Sequence, residues 1–286
     1  MNLENVRTRV LSRVQRSAAQ LLARRRFAVD SPAPVVSFSF DDFPRSALLT
    51  GGAILNRYGV TGTYYASFGL MGTRALTGEI FLKEDLPVLG QQGHELGCHT
   101  FSHCHSWETD PAEYERSIVR NREALQEYVP GASFRSFSYP ISPPRPQSKR
   151  RAGEHFLCCR GGGQTYMTGE GDLNYLSAFF LEKSRDDFDA VATLIEQNRR
   201  ARGWLVLATH DVDDHPTPYG CTPAFFEAVV RRVVESGATV LPVAAACEAL
   251  SGQHAHHHVG TSSESLAVGR DHAPVACHRL KTGESQ

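Results

Sequence analysis

The chain has 286 residues, 41 % apolar and 21 % charged, the balance of an ordinary globular protein long enough for one large domain or two small ones. A net charge of −1 supplies no broad basic field, which excludes nucleic acid as the main partner. Seven cysteines, an odd number with no C-x-x-C pair, argue against a disulfide framework or a cysteine zinc ribbon and favour a reducing compartment.

The first 30 residues stand apart. Up to Phe27 they hold seven arginines (7, 9, 13, 16, 24, 25 and 26) against one acid, Glu4, with Leu3, Val6, Val10, Val14, Leu21 and Leu22 at helical spacing. This pattern suits a solvent-facing helix packed on the domain, or a basic amphipathic helix resting on an anionic membrane surface through residues 1–27. It contains no apolar run of signal-peptide length, and no segment of the chain is long enough to span a bilayer. The expected location is therefore cytoplasmic, with peripheral membrane association as the variant.

Residues 31–250 alternate short apolar runs with helical patterns. "VVSFSF" (35–40) reads as a strand that ends on two aspartates, and "TGTYYAS" (61–67) as the next. "LKEDLPVLGQQG" (82–93) is helical up to its glycine, and "HELGCHT" (94–100) follows. Residues 110–128 form a helix with Asp110 as N-cap and Pro111 in its first turn. "SFRSFSYP" (133–140), "FLCCR" (156–160) and "AFFLE" (178–182) are strand-like, and 186–203 is a helix. "WLVLATHDV" (204–212) is apolar until its histidine, as a strand buried on both faces should be. A capped helix (222–237) and a strand (238–245) complete the series, which points to an α/β fold with a parallel sheet closed as a barrel. No phosphate-binding glycine loop follows any strand. From 251 the periodicity is lost and the composition, with its His256 to His258 run, is that of a disordered tail.

"GHELGCHTFSHCH" (93–105) places His99 and His103 four residues apart, able to share one ion from a helix or a wide turn. In a parallel α/β fold the polar residues at strand carboxyl ends converge, here Asp41-Asp42, His99 to His103, Tyr139-Pro140, Arg160 and His210-Asp211. Two imidazoles and one carboxylate leave a position for water, the pattern of a catalytic metal rather than a structural one. A second acid beside them reads as the base that deprotonates that water. The plainer alternatives are a turn cap for either aspartate, a satisfied core histidine at 210 and a barrel wall at Tyr139.

"SFSFDDF", "GHELGCHTFSH", "FRSFSYP" and "LATHDV", in that order, resemble the polysaccharide deacetylases of the NodB-homology type, carbohydrate esterase family four, over roughly residues 34–248. The resemblance implies a distorted (β/α) barrel with seven or eight strands and a divalent transition metal, usually Zn²⁺. It assigns Asp42, His99 and His103 to the metal, Asp41 as base, and His210 as the acid that protonates the departing amine. Tyr139 lies where the family uses a backbone N–H to hold the oxyanion. The implied reaction removes N-acetyl groups from amino sugars of a poly- or oligosaccharide. The alternatives are a deformylase or deacetylase of a lipid-linked amino sugar, and a non-catalytic carbohydrate-binding relative.

Three departures from the family pattern stand out. Phe43 replaces the glycine that commonly follows the aspartates, which narrows the site or alters its loop. The arginine that orients Asp41 is either Arg135 or Arg160. The usual fourth motif is absent, with Asp172, Asp186 or Asp187 as stand-ins.

Overall fold

Val35–Phe40, Gly62–Ala66 and Trp204–Thr209 are buried at every position, which is why they read as unbroken runs of apolar and small residues. They form the middle of an eight-stranded sheet in the computed structural model, which describes residues 3–141, 143–184 and 186–257. The strand order is Phe179–Phe180, Trp204–Thr209, Val35–Phe40, Gly62–Ala66, Glu95–Cys98, Ser136–Ser138, Cys158–Arg160, and every neighbouring pair is parallel. Thr239–Val240 adds an eighth strand beside Val35 and Val36. Beyond the last strand, Gly161 N–H donates to the Leu176 carbonyl (2.9 Å) and Gln164 N–H to that of Ala178 (3.0 Å). These bonds draw the outer edge toward the segment leading into Phe179, so the sheet curls into a distorted (β/α) barrel.

The helices on its outside begin where their caps dictate. Asp110 accepts from the Ala112 N–H (2.9 Å) ahead of Pro111–Tyr128, Asp187 from Ala190 (3.0 Å) ahead of Phe188–Ala201, and Thr222 from Phe225 (3.3 Å) ahead of Pro223–Glu235. Phe225, Phe226, Val229, Val230 and Val233 give the last of these an apolar stripe against the sheet.

Two helices are not assigned from the sequence. Pro146–His155 is a helix although its sequence, PQSKRRAGEH, lacks an apolar stripe. It packs through small residues instead: a Cβ on Gly153 would lie 2.2 Å from Asn174 Oδ1. The residues 243–245, expected as strand, open a helix, Val243–His257, because the barrel's last strand stops at Val240. That helix also runs past residue 250, where the tail was expected to begin. Residues 258–286 and the side chains of the His256 to His258 run lie outside the described residues.

The amino-terminal helix, Leu3–Leu21, is tied to the barrel at its carboxyl end. Buried Lys149 donates to the Leu22 carbonyl (2.8 Å), the Ala19 carbonyl and Asp172 Oδ2 (2.6 Å). Arg25 bonds Asn174 Oδ1 (2.6 Å) and the Phe156 and Leu157 carbonyls, and Arg26–Val29 pairs antiparallel with Gly169–Asp172. Part of the arginine cluster is therefore structural, while Leu11, Val14 and Leu21 face outward. No described helix is long and apolar enough to cross a membrane.

Candidate metal centre and active-site cleft

The Val35–Phe40 strand delivers Asp41 and Asp42 to the carboxyl end of the barrel, and the turn after Glu95–Cys98 delivers His99 and His103. The histidines sit on a wide turn pinned by backbone bonds. Ser117 Oγ accepts from the Phe101 (3.0 Å) and Ser102 (3.2 Å) N–H groups, and the Gly69 N–H donates to the Phe101 carbonyl (2.9 Å). Only glycine fits at position 69, since a Cβ there would lie 2.4 Å from that oxygen. Asp42 (φ 61°), Thr100 (φ 59°) and His103 (φ 52°) all have left-handed backbones, strain of a kind that collects at functional sites.

One oxygen, one nitrogen and another nitrogen converge here. Ligand atoms of Asp42, His99 and His103 lie within 4.8 Å of one another, and Asp42 Oδ1 is 3.5 Å from His99 Nε2 and 3.1 Å from His103 Nε2. His99 Nδ1 donates to the Ser138 carbonyl (2.8 Å), which leaves Nε2 as a lone pair aimed at the cluster. Asp42 Oδ2 accepts from Thr77 Oγ1 (3.0 Å), whereas buried Asp42 Oδ1 has no hydrogen-bond partner. An orphaned carboxylate oxygen facing two imidazole nitrogens fits a divalent cation, and the N,N,O donor set suits zinc and its transition-metal neighbours. Burial alone would raise the Asp42 carboxyl, but His103 and His99 outweigh it and hold it well below the usual range.

Beside this cluster Arg160, 1 % exposed, places Nη2 on Asp41 Oδ1, and Ser138 Oγ donates to the same oxygen (3.2 Å). Burial raises the Asp41 carboxyl, while Arg160, His99 and His210 pull it below its ordinary value, so it is ionised at neutral pH. Arg135 does not take part: it lies just ahead of the Ser136–Ser138 strand, exposed, and pairs with Glu248. Phe43 does not narrow the site either. Its ring is fully buried and stacked on Phe81 at 4.8 Å, so the bulk goes into the core while the backbone keeps a left-handed φ of 52°.

Tyr139 departs from the expectation. Its N–H donates to the Arg160 carbonyl (3.1 Å) as part of the sheet, and its hydroxyl donates to the Asn174 carbonyl (3.0 Å). That N–H is already engaged and is not available to an oxyanion, although Tyr139 contributes to the cleft wall.

His210 follows the Trp204–Thr209 strand, and its Nδ1 donates to the Tyr219 carbonyl (3.2 Å), turning Nε2 toward the cleft. The carbonyl is set by Asp211, which accepts from Thr217 N–H (2.7 Å) and Thr217 Oγ1 (2.5 Å) and so folds the loop. None of the three expected stand-in acids reaches this region. Asp172 binds Lys149 and the Arg25 N–H, Asp187 caps its helix, and Asp186 is exposed. Glu182 does line the cleft, and burial raises its carboxyl to about 7. Sequence reasoning missed it because a lone glutamate after an apolar pair carries no spacing signal.

Asp41, Asp42, His99, His103, His210 and Glu182 border one cleft of ≈ 730 Å³ at the carboxyl end of the barrel. The family model for polysaccharide deacetylase matches residues 28–154, the stretch that supplies both aspartates and both turn histidines. Over that stretch the chain is similar to the polysaccharide deacetylases. Solved structures share its fold. A family 4 acetyl xylan esterase from Clostridium thermocellum, in complex with a cobalt ion, is 20 % identical with a TM-score of 0.53, over 76 % of this chain and 92 % of that one. The peptidoglycan deacetylase PdaC of Bacillus subtilis is 14 % identical with a TM-score of 0.52, over 82 % of this chain and 100 % of that one. BA3943, described as a pseudoenzyme of the same family from Bacillus anthracis, is 12 % identical with a TM-score of 0.52, over 76 % and 66 %. No curated protein matches the chain.

Proposed function

We propose that this chain is a metal-dependent hydrolase that removes N-acetyl groups from amino sugars of a poly- or oligosaccharide. The observation that carries the reading is the convergence of Asp42, His99 and His103 beside an arginine-held Asp41, with His210 on the same cleft. Asp42, His99 and His103 would hold the cation. When bound, such an ion lowers the pKa of water from 15.7 toward about 7 and polarises a carbonyl oxygen.

The chain's own residues supply the proton chemistry. Asp41, ionised and held by Arg160, accepts the proton of the attacking water. His210, oriented through Nδ1 by the Tyr219 carbonyl, presents Nε2 to the amine that leaves and hands it a proton. Without that proton the amine is a poorer leaving group than the water that attacked.

A second reading, sugar binding without turnover, is favoured by the engaged N–H of Tyr139, which removes one oxyanion donor, a contribution worth roughly 3–4 kcal/mol of barrier. Acetate release decides between them. Chelator-treated protein is assayed on a panel of N-acetylated oligosaccharides, then reloaded with Zn²⁺. Acetate that disappears on chelation and returns with the ion supports the hydrolase. Saturable binding of the same oligosaccharides without acetate, in the zinc-loaded protein, replaces it with the second reading.

A further inference from the structure

We propose that the amino sugar accepted by this cleft carries an aliphatic chain, and that Leu76 and Ile141 form the seat for it. The inference rests on the hydrolase reading and narrows its substrate class toward a lipid-linked amino sugar. Leu76 is 79 % exposed and Ile141 64 % exposed, and both border the cleft that holds Asp41 and His210.

Both side chains stand out at the mouth of the cleft, and one of them is strained on backbone grounds. Leu76 and Thr77 are the two loop residues of a hairpin that pairs Arg74–Ala75 with Gly78–Glu79, and Gly78 (φ 110°) takes the positive dihedral, so Leu76 projects from the tip without backbone strain. Ile141 has φ 68°, and a β-branched residue in the left-handed region is a genuine outlier. Two aliphatic groups exposed to water at one opening, one of them held there by a strained backbone, are accounted for if those groups have an apolar partner. The hairpin is also fixed in place, because Thr77 Oγ1 bonds Asp42 Oδ2 at 3.0 Å. Leu76 is thus held one residue from a group that touches the metal cluster.

The chemistry selects the partner. A bare sugar ring packs on flat aromatic faces and needs hydrogen-bond partners for its hydroxyls, and leucine and isoleucine offer neither. They match alkyl carbons. An aliphatic chain joined to the amino sugar would lie across Leu76 and Ile141 while the N-acyl group sits between Asp41 and His210.

The test uses the full-length, zinc-loaded chain and a series of β-glycosides of N-acetylglucosamine (methyl, butyl, hexyl and octyl) below their micelle concentrations. Acetate release should give kcat/KM values that rise roughly two- to fourfold per methylene over the first carbons. Ile141→Gly and Leu76→Asn should each reduce the octyl-to-methyl ratio about tenfold. A merely structural role would lower both substrates alike, and the Tm of Ile141→Gly should not fall, since glycine accepts φ 68°. A kcat/KM series independent of chain length, with acetate released throughout, overturns the seat and leaves the hydrolase standing. Calorimetric binding to Asp41→Asn protein separates the two readings. Affinity that rises with chain length while the parent releases no acetate keeps the seat and removes the hydrolase, and affinity independent of length removes the seat.

Discussion

The two ends of the barrel each hold a carboxylate, Glu95 half-buried at one and Asp42 buried at the other, and they treat it in opposite ways. At the amino end Glu95 accepts from Thr63 Oγ1 (2.8 Å), Ser136 Oγ (2.5 Å) and the Ala244 N–H (3.0 Å), so its oxygens are occupied by donors from three elements. Burial raises its carboxyl, with Ser136, Ala244 and Thr63 opposing. At the carboxyl end Asp42 Oδ1 and Arg160 Nε are buried with no hydrogen-bond partner. A saturated polar cluster fastens the strands to each other. An orphaned carboxylate oxygen facing two imidazole nitrogens has room for a cation, which a carboxylate already ringed by donors has not.

That contrast can be broken by removing groups from each end. The largest effect is expected for Asp42→Ala: metal content falls to background and turnover drops by at least about 10⁴-fold, both measured on protein confirmed as folded by circular dichroism. Metal retained at parent level would show that the ion is held elsewhere. Asp41→Asn should cost about 10²–10⁴-fold in kcat while metal content stays at one ion per chain, and a parallel loss of metal would move Asp41 into the ligand set.

The amino end should answer in stability instead. Glu95→Ala leaves three donors unpaired and should lower stability by about 3 kcal/mol, a Tm decrease of roughly 6–12 °C, with kcat per folded molecule retained. A large loss of kcat in folded protein would erase the distinction between the two ends.

The smallest effect concerns His94, also at the amino end, where Nδ1 accepts the Gly62 N–H (3.1 Å) and burial lowers the imidazole pKa from 6.5 to about 4. Between pH 6.5 and 4 the unfolded chain binds the proton and the folded one does not, so stability falls as pH falls through that window and levels off below it. His94→Asn retains an acceptor for Gly62 without titrating. Its Tm should decline less than the parent's between pH 6.5 and 4, and parallel curves would reassign the acid sensitivity.

The sequence revealed the barrel because its central strands are buried on both faces and its main helices carry explicit caps at Asp110, Asp187 and Thr222. It pointed to Asp42, His99 and His103, which the fold brings together, because these residues are chemically distinctive and sit at strand ends. What stayed hidden depends on which way a side chain points. Arg135 and Arg160 look alike in sequence, yet Arg135 precedes its strand and pairs with Glu248 in the open, while Arg160 ends its strand at the carboxyl end of the barrel and turns onto Asp41. The Tyr139 N–H could not be assigned without the register that pairs it with the Arg160 carbonyl. Glu182 is an unremarked acid until the sheet curls and brings it to the cleft.

The lysine beneath the amino-terminal helix has a practical corollary for truncation experiments. Deleting residues 1–27 would strip the Lys149 ammonium of its two carbonyl acceptors and leave Asp172 to neutralise a cation newly opened to solvent. A shortened protein that performs poorly near lipid would therefore report a loosened foundation, and surface affinity is better probed by charge reversal at Arg13 and Arg16, which are exposed.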